Sequence, residues 1–240
     1  MTTIKPLHHR AVFCGNNGTK IDKIPKTATQ GKITATVLGT KCNPPIKTVT
    51  KPNPAVVKMT LPHVKPNSTF SGCRGLSHLV IGESVELIDM NAFLGCQNLT
   101  DLMLPNSLKR INPQAFYDCA NLSSVSFGDS ISYIGYYAFY GCVNISKVNI
   151  TNLATWCNVE FDYGESNPLC YSHSLYLNNQ EIKNLVIPDH ITKIKNKAFN
   201  GCSGLTSLTV PNGTLIIGEN SFSDLISSIQ CSSFDCLVAG

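Results

Sequence analysis

The sequence predicts a repeat solenoid that is mainly β, in which stacked turns contribute parallel strands joined by short helical or 3₁₀ turns. The first observation is a phrase, Ala-Phe-x-Gly-Cys or a close variant, that returns at a spacing of 23 residues. The second is that the apolar positions between successive phrases keep the same offsets. Clear copies begin at Ala92, Ala115, Ala138 and Ala198, and weaker copies begin at Thr69 and Ser221. Such a period is typical of units that bury apolar residues only against their neighbours, so we expect function on an extended surface.

Each repeat contains a short strand, indicated by apolar and polar residues that alternate with period two. A proline or glycine such as Pro105 or Gly128 follows the strand and turns the chain out of the sheet. The apolar members of each strand should face the interior, and the residues between them should point outward and align across turns. The outward residues are Asp101, Met103, Ser124, Ser126, Lys147, Asn149, Asn184, Val186, Ser207 and Thr209.

This outward row is mixed and lightly charged, which suits broad contact with a protein. A solvated sheet face without a partner is the alternative. A second row on the adjoining face is a weaker candidate, and it includes Glu86, Lys109, Arg110, Tyr133 and Lys193.

Residues 1–58 lack the repeat and carry most of the positive charge. They hold ten Lys or Arg and one acid, a net +9, whereas the remainder holds nine basic and fourteen acidic residues, a net −5. This asymmetry fits either an arm that binds polyanions or membranes, or a basic cap on an acidic solenoid. The cap is favoured, and no nucleic-acid partner is expected, because the lysines are scattered rather than clustered.

We therefore divide the chain into three parts. Residues 1–58 form a basic segment, a β-rich cap or small domain that is partly irregular. Residues 59–222 form the solenoid, with a degenerate first turn at 59–70. Residues 223–240 form a C-terminal cap or tail.

The period breaks once, between Phe139 and Phe199. The interval of 60 residues is two periods of 23 with 14 left over, which places an insertion within 151–175 and puts Tyr176 at the position of the repeat phenylalanine. Insertions in solenoids emerge as loops on one face, often the binding face, so Trp156 and Tyr163 are candidate ligand contacts. The alternative is that the inserted aromatics pack back onto the solenoid, which is favoured because an exposed aromatic cluster promotes aggregation.

The repeat unit itself resembles a known family. The pattern C-x-x-L-x-x-L-x-L-P-x-x-L-x-x-I-x-x-x-A-F-x-x at 96–118 is similar to the Treponema pallidum-type leucine-rich repeat of BspA-like surface proteins, and the segments 156–161, 166–169 and 175–177 of the insertion are similar to that family as well. The resemblance runs over 70–222 and implies a right-handed leucine-rich-repeat superhelix of parallel strands. It also implies a non-enzymatic surface protein that binds host proteins, such as matrix or plasma glycoproteins, or mediates cell–cell adhesion.

The chain has eleven cysteines, and five of them share one repeat phase. These five are Cys73, Cys96, Cys119, Cys142 and Cys202. Stacking gives them one orientation, which disfavours disulfide geometry, so a ladder of buried thiols that act as small apolar side chains is expected. Disulfides are more plausible between Cys157 and Cys170 in the insertion and between Cys231 and Cys236 in the tail, where both states stay open. Zinc is disfavoured because the tail pair lacks the ligand spacing of a structural site.

An enzymatic function is disfavoured by the residue pattern. No recognisable catalytic motif surrounds His8, His9 and Cys14, and the acidic residues stand singly rather than in pairs. No cofactor or metal is expected. The sequence has no run of about 20 apolar residues of the kind that spans a membrane, and the N-terminus shows no apolar signal-peptide region.

Two functions stay open. The first is a cell-surface or secreted, adhesin-like module that binds proteins, with host extracellular-matrix or surface glycoproteins as ligands. The second is an intracellular structural or scaffold repeat protein, favoured by the missing signal peptide and the many unpaired cysteines. The candidate ligand contacts are Asp101, Met103, Ser124, Ser126, Lys147, Asn149, Trp156, Tyr163, Ser207 and Thr209.

Overall fold

The computed structural model describes residues 36–38, 55–59, 63–64, 70–214 and 216–223. Over these residues the chain forms a mostly β solenoid of about six turns with few helices. In chain order the strands are β1 (Thr36–Leu38), β2 (Ala55–Met59), β3 (His63–Val64), β4 (Leu76–Ile81), β5 (Leu87–Ile88), β6 (Asp101–Met103), β7 (Arg110–Ile111), β8 (Ser124–Phe127), β9 (Tyr133–Ile134), β10 (Lys147–Ile150), β11 (Glu160–Phe161), β12 (Leu175–Leu177), β13 (Gln180–Glu181), β14 (Asn184–Val186), β15 (Lys193–Ile194), β16 (Ser207–Thr209) and β17 (Ile216–Ile217).

Successive turns build two parallel ladders. The principal sheet has the order β1-β2-β4-β6-β8-β10-β12-β13, and the second sheet has the order β11-β9-β7-β5-β3. The pairs at the two ends of the principal sheet, β1 with β2 and β12 with β13, are antiparallel. The described pairings beyond the insertion, β14 with β16 and β15 with β17, are parallel. The register keeps the sequence period, because Leu102 pairs with Val125 and Val125 pairs with Val148.

The interior is a continuous stack of identical phases. The rings of Phe70, Phe93, Phe116 and Phe139 lie face to face at centroid distances of 5.3 to 5.5 Å. Phe199 and Phe222 repeat this contact at 5.1 Å beyond the insertion. The inward strand residues predicted from the alternation, including Leu102, Val125, Val148, Leu185 and Leu208, are buried. Each turn therefore buries its apolar residues against the turns on either side.

The third face of the solenoid consists of the Ala-Phe turns, whose backbone groups bond from turn to turn. Phe93 N donates to Ala115 O at 2.8 Å, and Phe116 N donates to Ala138 O at 2.9 Å. The glycine of the phrase is required where turns approach closely: Gly201 has a φ of +85°, and a Cβ there would lie 2.5 Å from the Cα of Cys170. A side chain at this position would both strain the backbone and collide with the preceding turn.

The insertion folds into short helices and strands that connect the turns of the solenoid before and after it. It contains α1 (Leu153–Cys157), a 3₁₀ turn (Gly164–Ser166) and α2 (Leu169–Ser172). Its strand β11 extends the second sheet beside β9, and the following strand β12 extends the principal sheet beside β10. The prediction that Tyr176 takes the repeat phenylalanine position is wrong, because Tyr176 lies in β12 and pairs with Asn149. Counting back from Phe199 missed a strand that belongs to the insertion rather than to a regular repeat.

Where the solenoid resumes after the insertion, side chains replace a backbone donor. In the regular turns the carbonyl of the repeat alanine accepts the N–H of the repeat phenylalanine in the turn before it. At Ala198 the preceding turn is irregular, and the indole Nε1 of Trp156 donates to Ala198 O at 2.7 Å while Asn167 Nδ2 donates to it at 3.1 Å. Both side chains are buried. The carbonyl is therefore satisfied, as a buried polar group must be.

The predicted end segments fall largely beyond what the structure describes. Residues 223–240 are described only at 223, and of 1–58 only the backbones of 36–38 and 55–58 are described. Strand β1 lies within the basic segment, and β2 crosses its predicted boundary at 58. The three-part division and the cap stay predictions.

Candidate functional site

The outward residues of the principal sheet, together with those of the separate β14–β16 pair, form a set that we call the sheet row. Its members are Asp101, Met103, Ser124, Ser126, Lys147, Asn184, Val186, Ser207 and Thr209, with Val80 of β4 beside Met103. Met103 is 75% exposed, Val186 is 59% exposed and Val80 is 46% exposed. The serines, Thr209 and Lys147 are half-buried. Exposed apolar side chains thus stand among hydroxyls on hydrogen-bonded parallel strands.

Hydrogen bonds between neighbouring strands fix the polar part of the sheet row. Ser124 Oγ donates to Asp101 Oδ1 at 2.6 Å, and Ser207 Oγ donates to the Asn184 side-chain oxygen at 2.8 Å. Lys147 Nζ donates to Asn179 at 3.0 Å. These bonds hold the side chains in place before any partner arrives, which lowers the ordering cost of binding.

Asn149 is a correction to the sequence prediction. It is assigned to the outward row, but its side chain is only 4% exposed, and its Oδ1 accepts the backbone N–H of Asn179 at 2.7 Å. The turn between β12 and β13 folds over this end of the sheet and covers it. Asn149 is therefore a structural residue and does not present a surface to a ligand.

Trp156 is the second correction. It is a candidate ligand contact by sequence, but it is 1% exposed and packs against Phe127 and Phe161 at ring distances of 5.1 and 5.5 Å. The alternative prediction, that inserted aromatics pack back onto the solenoid, is confirmed for Trp156 and Phe161. It does not hold for Tyr163, which is 56% exposed.

Tyr163 joins a cluster that the sequence prediction missed. We call it the tyrosine patch, and its members are Tyr117, Tyr136, Tyr137, Tyr140 and Tyr163 on the face of the Ala-Phe turns. Two signals could have found it. Tyr117 and Tyr140 are one period apart, so stacking brings them together, and three tyrosines crowd into 136–140.

The second row is tied down by charge contacts. Lys109 Nζ lies 3.2 Å from Glu86, and the Arg110 guanidinium lies 4.0 Å from the centre of the Tyr133 ring. Tyr133 donates its hydroxyl to Asp162 at 2.6 Å. Burial, followed by this bond to a carboxylate, raises the pKa of Tyr133 to about 12. These mutual contacts leave fewer unsatisfied groups for a partner than the sheet row presents.

The repeat cysteines donate into the stack. The thiols of Cys96, Cys119 and Cys142 donate to the carbonyls of Phe70, Phe93 and Phe116 at 3.1 to 3.2 Å. A hydrogen bond with Cys142, followed by burial, raises the pKa of Cys119 well above its ordinary value. Burial likewise raises the pKa of Cys202 to about 12. Such thiols are poor nucleophiles and metal ligands, because the reactive form is the thiolate.

The open question of disulfides is decided for one of the two pairs. Cys157 is a free, buried thiol whose pKa burial raises to about 12, so no bond joins it to Cys170. The Cys170 thiol instead donates to Gly164 O at 3.0 Å. Cys231 and Cys236 lie outside the described residues, as do His8, His9 and Cys14.

Neither a metal centre nor a membrane-spanning helix is present among the described residues. Within these ranges no three His, Cys, Asp or Glu side chains come close enough to hold a metal ion. The helices described there are all too short or too polar to cross a bilayer.

The geometry defines a class of protein: a solenoid of 23-residue leucine-rich turns that presents rows of side chains on its sheets. The chain belongs to the BspA type leucine-rich repeat region family, whose model matches six copies over residues 64–164 and 172–236. The gap between these two matches falls in the insertion. Repeats of this family serve as modules for protein interaction and are typically not catalytic.

Solved structures of leucine-rich repeat proteins are similar to the chain at low identity. A Treponema pallidum leucine-rich repeat protein is 18% identical over 79% of this chain and 86% of its own, with a TM-score of 0.44. A Bacteroides ovatus leucine-rich repeat protein is 19% identical over 81% and 68%, with a TM-score of 0.31. A leucine-rich cell surface protein of Faecalibacterium prausnitzii is 15% identical over 84% and 75%, with a TM-score of 0.28. Among curated proteins, none matches the chain.

Proposed function

We propose that the chain is a non-enzymatic, adhesin-like binding module of a cell surface or secreted protein, which contacts proteins of a host or of a neighbouring cell through the sheet row. The observation that carries this proposal is the exposed apolar pair on β4 and β6, at one end of the row. Met103 and Val80 are paired neighbours in the sheet, 75% and 46% exposed, with Ser126 on the far side of Met103. Apolar anchors inside a polar rim are the arrangement that binds proteins most strongly.

The chemistry of the sheet row suits a glycoprotein or matrix protein better than a small charged ligand. Only Asp101 and Lys147 are charged among its members, and Asp101 is already paired with Ser124. A sheet surface also lacks the concavity that a small molecule needs to lose most of its water contact. A broad, shallow contact with another protein is the binding mode that remains.

A second candidate is an intracellular structural or scaffold protein, and one observation favours it. Cys119, Cys142, Cys157 and Cys202 are buried free thiols. Chains that fold in oxidising compartments tend to form disulfides, so unpaired thiols are more typical of reducing ones. Mild protease treatment of intact cells separates the two candidates. Cleavage of the chain on intact cells supports the surface proposal, and complete protection until lysis contradicts it.

Binding through the sheet row is tested with two matched variants of the whole chain. Met103→Asp places a charge in the exposed apolar pair of the row, and Val143→Asp places one at a residue of similar exposure, 65%, that lies outside the row. Binding to immobilised matrix and plasma glycoproteins is measured by biolayer interferometry. We expect Met103→Asp to weaken binding roughly tenfold or more and Val143→Asp to leave it unchanged. Equal effects of the two variants, or none, would show that the row is not the contact surface.

A further inference from the structure

The tyrosine patch gathers five of the eight tyrosines of the chain onto one face. Tyr163, Tyr140 and Tyr136 are 56%, 40% and 37% exposed, and Tyr117 and Tyr137 are half-buried beside them. Ring centres of neighbouring members lie between 3.7 and 6.5 Å apart, so the rings contact one another. The patch therefore offers chemistry between its own rings rather than a cleft for a ligand.

One pair of rings in the patch joins two neighbouring turns of the solenoid. Tyr117 and Tyr140 have the same repeat phase, and the backbones beside them are bonded, since Asp118 N donates to Tyr140 O at 2.7 Å. Their rings stack with centres 5.3 Å apart and planes 23° apart. Because stacked repeats place equivalent residues in equivalent positions, the two side chains leave their turns in the same direction. The ring carbons ortho to the two hydroxyls are thus brought close together.

This separation is close to that of a covalently coupled pair. Dityrosine joins two ortho carbons by one C–C bond, so its ring centres are one bond and two ring radii apart, somewhat less than the 5.3 Å between Tyr117 and Tyr140. The rings must also turn from face contact to edge contact before they couple. Exposed side chains reorient within picoseconds to nanoseconds, and Tyr140 is exposed enough to do so.

The hydroxyls of this pair are available for oxidation. Within the described part of the chain, neither Tyr117 nor Tyr140 uses its hydroxyl in a hydrogen bond, whereas Tyr133 donates its hydroxyl to a carboxylate at 2.6 Å and Tyr171 accepts a backbone N–H at 3.1 Å. Tyr133, Tyr171 and Tyr176 also make no ring contact with another described tyrosine. Access to the hydroxyl and a neighbouring ring therefore coincide at Tyr117 and Tyr140.

We propose that Tyr117 and Tyr140 are a site of oxidative modification, at which a haem peroxidase and hydrogen peroxide join the two rings as dityrosine. Each phenol loses one electron and one proton, and the two phenoxyl radicals form a C–C bond between ortho carbons. The hydrogen on each coupled carbon then moves to the phenolic oxygen of its own ring. The two hydrogen atoms removed from the protein reduce one hydrogen peroxide to two waters, which balances the reaction.

The cross-link would fasten one turn of the solenoid to the next, shortly before the insertion. A bond between residues 117 and 140 closes a loop in the unfolded chain and lowers its conformational entropy, so the folded state gains stability relative to it. The site does not involve the sheet row, and the inference holds whether or not the row binds a protein.

The test oxidises the whole chain with hydrogen peroxide and a haem peroxidase at two protein concentrations. Dityrosine is detected by its blue fluorescence and located by mass spectrometry after cleavage before aspartate, which puts Tyr117 in the fragment 101–117 and Tyr137 and Tyr140 in the fragment 129–161. We expect these two fragments to be joined with the loss of two hydrogen atoms, in a yield that does not depend on protein concentration. The oxidised chain should also melt at a higher temperature than the untreated chain.

Phenylalanine variants identify the coupled pair, because phenylalanine keeps the ring but has no phenolic hydrogen to lose. Tyr117→Phe and Tyr140→Phe should each remove the link between the two fragments and the rise in melting temperature. Tyr137→Phe should keep both, since the Tyr137 ring lies farther from Tyr117, at 6.5 Å. Tyr176→Phe, outside the patch, is the matched control and should also keep both.

Three results would overturn the proposal. The first is the absence of a link between 101–117 and 129–161, which would mean that the rings only pack. The second is dityrosine found solely in dimers whose yield rises with protein concentration. The third is a link that survives Tyr140→Phe or disappears in Tyr176→Phe, since the coupling would then not be specific to Tyr117 and Tyr140. Melting temperatures measured before oxidation show whether each variant is folded.

Discussion

Trp156 and Asn167 donate to the same acceptor, the carbonyl of Ala198. Substitutions of these two residues should therefore be strongly non-additive in the free energy of unfolding. Trp156→Phe removes the indole N–H but leaves Asn167 to donate to Ala198 O, so it should cost about 1 kcal/mol for the hydrogen bond and about 1 kcal/mol for lost packing. Asn167→Ala removes that second donor and also the acceptor of Leu169 N, which should cost roughly 2–4 kcal/mol. The double variant leaves the buried carbonyl of Ala198 with neither donor. The desolvation penalty should then add about 1–2 kcal/mol beyond the sum of the single effects.

The assay is urea unfolding followed by far-UV circular dichroism, since Trp156 is the sole tryptophan and its fluorescence is lost in the variants. Leu99→Ala, at a buried residue of a regular turn before the insertion, serves as the control partner for Trp156→Phe. The effects of these two substitutions on the free energy of unfolding should be additive. If Trp156→Phe and Asn167→Ala add within about 0.5 kcal/mol, the two side chains do not share the role of the missing backbone donor.

Two further predictions follow from buried groups. Asn149→Ala should lower the free energy of unfolding by about 1–2 kcal/mol, because the N–H of Asn179 loses its acceptor. The control Lys147→Ala, at the surface, should change it by less than about 0.5 kcal/mol. Equal effects of the two variants in urea unfolding would contradict the burial of Asn149. The raised pKa values of Cys157 and Cys202, about 12 against an ordinary 9.0, mean that the unfolded chain loses these protons first as pH rises. The contribution of these two thiols to stability should therefore be constant below pH 9 and fall between pH 9 and 12 by up to about 1.4 kcal/mol per pH unit for each thiol, and Cys157→Ala should flatten that slope in pH-dependent unfolding.

The periodic part of the fold could be predicted because each repeat sees the same surroundings. A residue such as Leu102 or Val125 is buried for a reason that its phase alone specifies: the turns before and after carry apolar residues at the same offset. The same logic orders Met103 and Ser126 outward. Where the chain repeats, one alternation pattern determines both faces of the sheet.

The prediction of exposed residues failed where a side chain's neighbours differ from those in the regular turns although its strand keeps the same apolar–polar alternation. Asn149 has the same phase as Ser126, but the turn at Asn178 and Asn179 covers it, and nothing in its own strand indicates that turn. Trp156 lies in a segment with no periodic template. The favoured prediction that inserted aromatics pack onto the solenoid is confirmed for it, but its assignment as a candidate ligand contact does not fit its burial. Its role depends on a contact with Ala198, 42 residues along the chain.

Residues that depart from the repeat pattern differ in their effect on the stability of the fold. The residues at Trp156 and Asn167 depart from the pattern and satisfy a buried carbonyl, so their departure stabilises the fold and needs no ligand to explain it. Tyr137 places an aromatic ring at a left-handed position that asparagine fills in two other turns, so it is less stable there than asparagine would be. Folding alone does not account for a residue that opposes folding.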